Sequence, residues 1–301
     1  MSNTDIQNQA ILAICENISV FDKRRSISDE ERKLSLSMLT SELLKLKAEE
    51  NDPRSIYESF ASIVSDLRGE EKLYFCKEIL SHSSYFNEHE RDELLSVEET
   101  TAGSHGKVAY VRNNYNDMAF ERFSQRIPNA KAVVTSSFTD ACEEVFDNRC
   151  EFCILPLENT GDGRLFGFYS MLDRYDLKIL SALNIDTDDR QRSIRFGLVG
   201  KGVAKSALTT LLKKHSTCIL EFSVAAEDAS LTEGILSAAN AASALLWQVD
   251  SLPVVYDDRM RRFFFNMRIS ADELQAFCLY LSMEFSSYSL IGFYPESINK
   301  K

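Results

Sequence analysis

The chain has 301 residues, with 46 acidic against 34 basic side chains, a formal net charge of -12, and a hydrophobic share of 44%. That length points to two or three domains, and the apolar content is enough to build their cores. The acidic balance excludes general nucleic-acid binding, which needs a concentrated basic face; no apolar run is long enough to cross a bilayer, and "MSNTDIQNQ" lacks the basic and apolar regions of a leader, so a soluble, cytoplasmic protein without a membrane partner is expected.

Residues 1 to about 100 read as helical. Ile11, Ile14, Cys15 and Ile18 recur at helical spacing, as do Ile56, Phe60, Ile63, Val64 and Leu67. Ser28 with Glu31 forms a capping box, and Asp52 with Pro53 an N-cap and first-turn pair. "EETTAGSHG", residues 98 to 106, is small and polar and reads as a linker.

Behind it, "KVAYV", "MAFERFSQRI", "AKAVVTS", "DACEEVF", "FCILPL", "FYSMLDRY" and "LKILSALNI" alternate strand with helix, which predicts an α/β layer with partly parallel strands. The final segment changes order. "TCILEFSV" sets Cys218, Leu220, Phe222 and Val224 on one strand face, "LTEGILSAANAA" is helical, and "ALLWQV" and "RRFFFNMRI" are strands. Ser270 and Glu273 cap a helix, and "YSLIGFY" closes the chain, giving the ferredoxin-like order strand, helix, strand, strand, helix, strand.

Cys150 and Cys153 form a lone CxxC among seven cysteines, and the four histidines are scattered, so neither a disulfide framework nor a metal centre is expected. Phe263 to Phe265 behind Arg261 and Arg262 offer the composition of a nucleic-acid stacking platform, but their strand spacing favours a core with a solvated face.

Three stretches in fixed order carry a family resemblance. "LPLENTGDGRL" resembles the Pro-Ile-Glu-Asn-Ser signature of prephenate dehydratase, "RSIRFGLVG" its Thr-Arg-Phe strand, and "KVAYVRNNYNDMAFERF" its opening strand and helix. The tail ending "LIGFYPE" resembles the family's regulatory ACT domain. The resemblance implies a multi-domain α/β and α+β chain: a helical module at 1–104, a single α/β lobe of a periplasmic-binding-protein-like dehydratase domain at 105–203, and a ferredoxin-like ACT domain at 204–301. It places family-equivalent catalytic positions at Glu158, Asn159, Thr160, Arg195 and Phe196, and ACT ligand positions at Ala229, Ser230, Leu231, Asp250, Ser251 and Pro253. It implies no cofactor, a small carboxylate or amino-acid ligand, and a homodimer or higher assembly through the ACT domain.

The departures from the family pattern matter as much as the matches. Asn116 stands where the family has a Ser after a Gly-rich loop that is missing here, and Ile194 replaces the Thr beside Arg195, removing a donor. Only "DTDDRQRS" separates Ile185 from Ile194, where the family inserts a whole second lobe, so the site is expected to have one wall. Two readings stay open for the motif residues. Asn159 and Thr160 bind a ligand, or they hold the turn backbone with Gly161 and Gly163; Arg195 clamps a carboxylate, or it pairs with Glu158 or a nearby Asp.

Two functions follow from the resemblance: a diverged, non-catalytic relative with an assembling and amino-acid-sensing tail, or an active dehydratase of phenylalanine biosynthesis. Bifunctional relatives carry a helical chorismate mutase in front. Arg24, Arg25, Lys45, Lys47 and Arg54 are the cations available for that chemistry here, and a solvated helix face explains them equally well.

Overall fold

The computed structural model describes residues 67–81, 106–187, 192–204, 217–229, 231–254 and 257–296, with single positions 37, 38, 41, 57, 95, 97 and 98. The front-third readings at Ile11 to Ile18, Ser28 with Glu31, Asp52 with Pro53, Ile56, Phe60, Ile63, Val64 and the five candidate mutase cations lie outside the described residues, as does Ser230. The chain forms two compact units. One comprises Met1–Arg91, Ala229–Ser243 and Gln275–Ser286, and the other Asp92–Asp228, Ala244–Leu274 and Ser287–Lys301.

The first unit is helical in its described residues. Helix α1 (Gly69–Ser81) buries Leu73, Phe75, Cys76 and Ile79 at helical spacing, with Glu70 and Glu71 in its first turn, where the helix dipole favours negative charge. Two later helices, α5 (Leu231–Ala241) and α6 (Ala271–Glu284), follow in the C-terminal part of the chain. Helix α1 packs on α5. A Cβ at Gly69 would come within 3.0 Å of the Gly234 carbonyl oxygen, so the two backbones nearly touch there. The amide of Glu70 donates to Ser237 Oγ at 3.2 Å, and that hydroxyl donates to the Glu70 carboxylate at 3.0 Å. Glu284 gathers Lys72 and the Tyr57 hydroxyl, beside a Tyr57–Phe75 ring contact at 5.7 Å. Gly69→Ala is expected to separate α1 from α5 and cost about 1–3 kcal/mol in a denaturant titration; an unchanged midpoint would refute the close approach.

The second unit is built on one mixed sheet. Its first part alternates strand and helix: β1 (Lys107–Val111), α2 (Asn114–Ser124), β2 (Lys131–Thr135), α3 (Phe138–Phe146), β3 (Phe152–Asn159), the short β4 (Gly163–Arg164) and α4 (Phe166–Arg174). Then β5 (Lys178–Asp186), β6 (Ser193–Gly200), β7 (Thr217–Ala226), β8 (Leu245–Val254), β9 (Asp257–Ser270) and β10 (Ser289–Pro295) complete the sheet. Local signals place the helix starts. Asn113 Oδ1 accepts from the Asn116 amide at 2.9 Å ahead of α2, and Ser137 with Asp140 makes a reciprocal capping box ahead of α3. The strand order is β8-β9-β7-β10-β5-β6-β3-β1-β2, with β4 paired on β3.

The alternation predicted from residue 107 onward is observed, and β1 pairs in parallel with both β2 and β3. The acidic stub joins β5 to β6 as an antiparallel hairpin, closed by Thr187, whose amide donates to the Arg192 carbonyl at 2.9 Å. No lobe intervenes. Strands β7 to β10 follow the predicted order with helices α5 and α6 between them in sequence, and β8, β9, β7 and β10 pair antiparallel. This tail is continuous with the preceding strands: β10 lies parallel to β5 through the single register pair Gly292 with Ile179. A separate two-residue pair, Val97–Glu98 with Val203–Ala204, brings Glu98, the first residue of the predicted linker, into a strand.

Two apolar clusters flank the sheet. Val108, Tyr110, Phe123, Ile154, Ile185, Phe196 and Leu198 form one. Cys142, Val145, Leu155, Leu157, Tyr169, Leu172 and Val199 form the other, joined by Ile219, Phe264, Ile291 and Tyr294 from the tail strands. Strand β7 is therefore buried on both faces, and Phe263, Phe264 and Phe265 are all core, with Phe265 stacked on Phe222 at 4.9 Å. No stacking platform exists at that segment. Among the described residues no helix is long and apolar enough to cross a membrane, and no cluster of metal-ligating side chains occurs.

Candidate functional site

The motif strand β3 ends in a tight turn that explains most of its polarity. Asn159 pairs with Gly163 across the β3–β4 hairpin, and its Oδ1 accepts from the amides of Gly161 at 2.6 Å and Asp162 at 3.2 Å. Its Nδ2 donates to the Asp162 carboxylate at 2.7 Å. Gly163 has a φ of +71°, which a side chain would resist, whereas Gly161 stays outside that region. Thr160 Oγ1 accepts from the Ser193 amide at 2.9 Å and lies 3.0 Å from the Ser193 carbonyl, tying the turn to the start of β6. Both side chains hold backbone.

Strand alternation sends Arg195 to one face of β6 and Phe196 to the other. Phe196 is core and Ile194 packs beside it, so neither reaches the site around Arg195. Asn116 is buried elsewhere, donating from Nδ2 to the Val111 carbonyl at 2.6 Å; it seals the end of β1 and is not among the cavity-lining residues. A register shift between Pro156 and Glu158 then sets Glu158 directly across from Arg195. A bulge of this kind re-aims a side chain.

Arg195 has a partner the sequence did not suggest. Its Nη2 donates to Glu221 Oε1 and to the Tyr294 hydroxyl, which in turn donates to the same carboxylate oxygen. Glu158 Oε2 lies 3.9 Å from Nη1, close enough for attraction but without a hydrogen bond. The expected pairing with Glu158 or a neighbouring Asp is thus secondary, because Glu221 is fully buried and needs the cation more.

Glu221 is also approached by Arg164 at 3.8 Å and accepts from the Tyr169 hydroxyl at 3.1 Å. Arg164, itself buried, donates to Asp250 at 2.8 Å and Asn266 at 3.0 Å, and its guanidinium lies over the Tyr169 ring at 4.7 Å. Burial alone would push the Glu221 carboxyl up, but attraction from Arg195 and Arg164, with the Tyr294 hydrogen bond, outweighs it and holds the group below its ordinary value. Burial likewise opposes the charge on Arg195, and the attraction of Glu221 outweighs it. Tyr294 is driven well above its usual range by burial and then by Glu221.

Beside this network lies a half-open cavity of about 510 Å³. Glu158, Asn159, Thr160, Asn184 and Arg195 line one side, while Ile219, Trp247, Tyr294 and Glu296 come from the tail strands. The expectation of a single wall is corrected here. The tail strands curl back onto the motif strands and provide the other side, anchored by Arg164 on β4 gripping Asp250 on β8 and Asn266 on β9.

The proposed tail-ligand positions are dispersed. Asp250 is held by Arg164 and by Gln248, Ser251 accepts from Arg261 at 3.0 Å, and Pro253 borders a second cavity of about 350 Å³ with Lys178 and Arg262. Ala229 and Leu231 begin a segment of the other compact unit, where the Ala229 carbonyl accepts from the Thr232 amide at 2.9 Å. Cys150 and Cys153 are buried free thiols, and hydrogen bonding with Cys142, followed by burial, drives the Cys153 thiol up, the opposite of a reactive thiolate.

Comparison with known proteins gives no matching family model and no match among curated proteins. Solved structures do align. GqqA, described as a novel type of quorum-quenching acylase, is 17% identical over 64% of this chain and 96% of its own, with a TM-score of 0.48. Prephenate dehydratase from Streptococcus mutans is 16% identical over 63% of this chain and 97% of that one, at a TM-score of 0.47. The chain is likewise similar, at 12% identity and a TM-score of 0.47, to prephenate dehydratase from Staphylococcus aureus, covering 62% of this chain and 99% of that one.

Proposed function

We propose that the chain is a diverged, non-catalytic relative of prephenate dehydratase. The observation that carries this reading is the capture of Arg195 by a fully buried carboxylate, Glu221. Prephenate carries two carboxylates, and a dehydratase must supply cationic or amide donors to both and a proton donor near the departing hydroxyl. In this cavity one guanidinium, already neutralised from behind, faces the carboxylate of Glu158, and the Glu296 carboxylate is held by Arg268. Asn159 and Thr160 are bound to backbone, and Ile194 offers no proton. A dianion entering it meets no free cation among the described residues and lies against the carboxylate of Glu158. Incubation with prephenate is expected to yield phenylpyruvate no faster than buffer; turnover that disappears in Glu158→Ala would establish the active dehydratase instead. The tail strands that complete the cavity are the observation favouring that second reading, since they restore a partly enclosed site.

The tail is read as an ACT-like assembly module, within a division at 1–104, 105–203 and 204–301. Supporting assembly, β8 is the strand at one of the sheet's two edges and exposes Leu245, Trp247 and Val249 at alternate positions, with no Lys or Arg along its length. Such an edge favours pairing with a second copy.

A further inference from the structure

We propose that the second cavity, of about 350 Å³, binds a phosphate monoester whose organic part is small and apolar or aromatic. It shares no lining residue with the cavity beside Arg195, so the inference is independent of how that site is read. One side is the end of α4 with the turn into β5, and the other is formed by the tail strands. Register sets Ser223 on β7 directly opposite Ser289 on β10, so both hydroxyls fall on one face. Arg262 on β9 reaches the same place, its Nη1 donating to Ser223 Oγ at 3.2 Å. Because Ser223 accepts there, its own proton is directed elsewhere, and among the described residues it meets no acceptor. The Ser289 hydroxyl and Arg262 Nε and Nη2 also have no partner among the described residues, and these three atoms are open to solvent. Arg195 and Arg164 are each held by carboxylates, whereas Arg262 makes no ion pair among the described residues.

A guanidinium and two hydroxyls with unmet protons require a ligand that only accepts and that carries several oxygens. A carboxylate offers two oxygens and one charge. A phosphate monoester offers about three acceptor oxygens and close to two charges, so the Nε and Nη2 fork holds one pair while the serines reach the remaining oxygen. The surrounding charge agrees in sign: Arg174, Lys178 and Arg262 stand against Asp173 and Asp176, and Lys178 already holds Asp176 at 2.7 Å. The negative end of α4 is closed off, because the carbonyls of Met171, Leu172 and Asp173 accept from the amides of Tyr175, Leu177 and Asp176. The chain's net charge of -12 is screened beyond about 8 Å at physiological ionic strength, which leaves the local cations in control. Leu252, Val254 and Leu290 give the organic part an apolar wall, and the volume falls in the range of small-ligand pockets.

Binding of phenyl phosphate to the full chain is measured by titration calorimetry and by broadening of its phosphorus resonance. Benzoate, which keeps the ring but carries a planar carboxylate, and inorganic phosphate, which lacks the ring, are titrated in parallel. Phenyl phosphate is expected to saturate. Each of the other two is expected to bind roughly tenfold or more weakly, through the loss of a charge-assisted contact or of the buried ring. Ser289→Ala removes a hydroxyl that holds no described residue, so its melting curve is expected to be unchanged while phenyl phosphate weakens roughly tenfold. Arg262→Gln, which takes away the charge and the fork, is expected to weaken it by roughly tenfold or more. No saturable binding of phenyl phosphate, benzoate binding as tightly, or an affinity unaltered in Ser289→Ala or Arg262→Gln overturns the inference. Inorganic phosphate binding as tightly as phenyl phosphate overturns the assignment of an ester.

Discussion

Glu221→Gln is expected to be among the most damaging single substitutions in the chain, costing about 3–5 kcal/mol, which for a unit of this size lowers the melting temperature by roughly 10 °C. The substitution keeps side-chain volume but removes the fully buried carboxylate that faces both Arg195 and Arg164. Arg164 then keeps Asp250, but Arg195, packed against Tyr294, is left with Glu158 alone, 3.9 Å away and not hydrogen-bonded. The pH dependence separates charge from packing. Glu221 titrates below its ordinary value of 4.5 in the folded chain, so its contribution is complete above that pH and disappears as pH falls through the lower folded value. The stability gap between the wild-type chain and Glu221→Gln is therefore expected to be constant near neutrality and to narrow only under acid. A gap that is already small at neutral pH would mean that the network contributes shape rather than charge.

Gly292→Val is the second large effect. The sheet's two halves meet where β10 lies against β5, and there Gly292 faces Ile179 with no room for a side chain. A Cβ at that position would fall within 3.0 Å of three Ile179 atoms, two of them backbone. Backbone cannot rotate aside, so the strands must part, at a cost of about 1–3 kcal/mol for Ala and more for the branched Val. Hydrogen exchange of β5 and β10 amides is the direct measurement. Faster exchange confined to these two strands is expected, and protection equal to that of the unsubstituted chain would show that the halves are not joined at this point.

The elements from Lys107 onward were legible in sequence because each is a short apolar run with a clear period, bounded by turn residues such as the Asn159 to Gly163 segment. Arg195 and Glu158 were also legible as site residues through their motifs. Their true partner was not. Glu221 belongs to no motif, and setting Cys218, Leu220, Phe222 and Val224 on one face of β7 leaves open what covers the other. That face is covered, with Ile219 and Ser223 buried on either side of Glu221. A signal existed: Glu221, Arg195 and Arg164 are each a lone charge next to apolar residues, and a lone charge inside a buried run needs an opposite one. Trp247, Tyr294 and Glu296 were missed for another reason. They belong to a segment read as a separate regulatory domain, and whether its strands join the earlier sheet is decided by the fit at Gly292, which no periodicity reveals.

The contact between α1 and α5 has a consequence for how the chain is made. Glu70 and its partner Ser237 are 167 positions apart. At a synthesis rate of about 5–20 residues per second, α1 leaves the ribosome roughly 10–30 s before the helix it packs on exists. Throughout that interval the side of α1 that meets α5 is uncovered on the nascent polypeptide, a natural grip for chaperones and a natural starting point for misassociation in cells that lack enough of them.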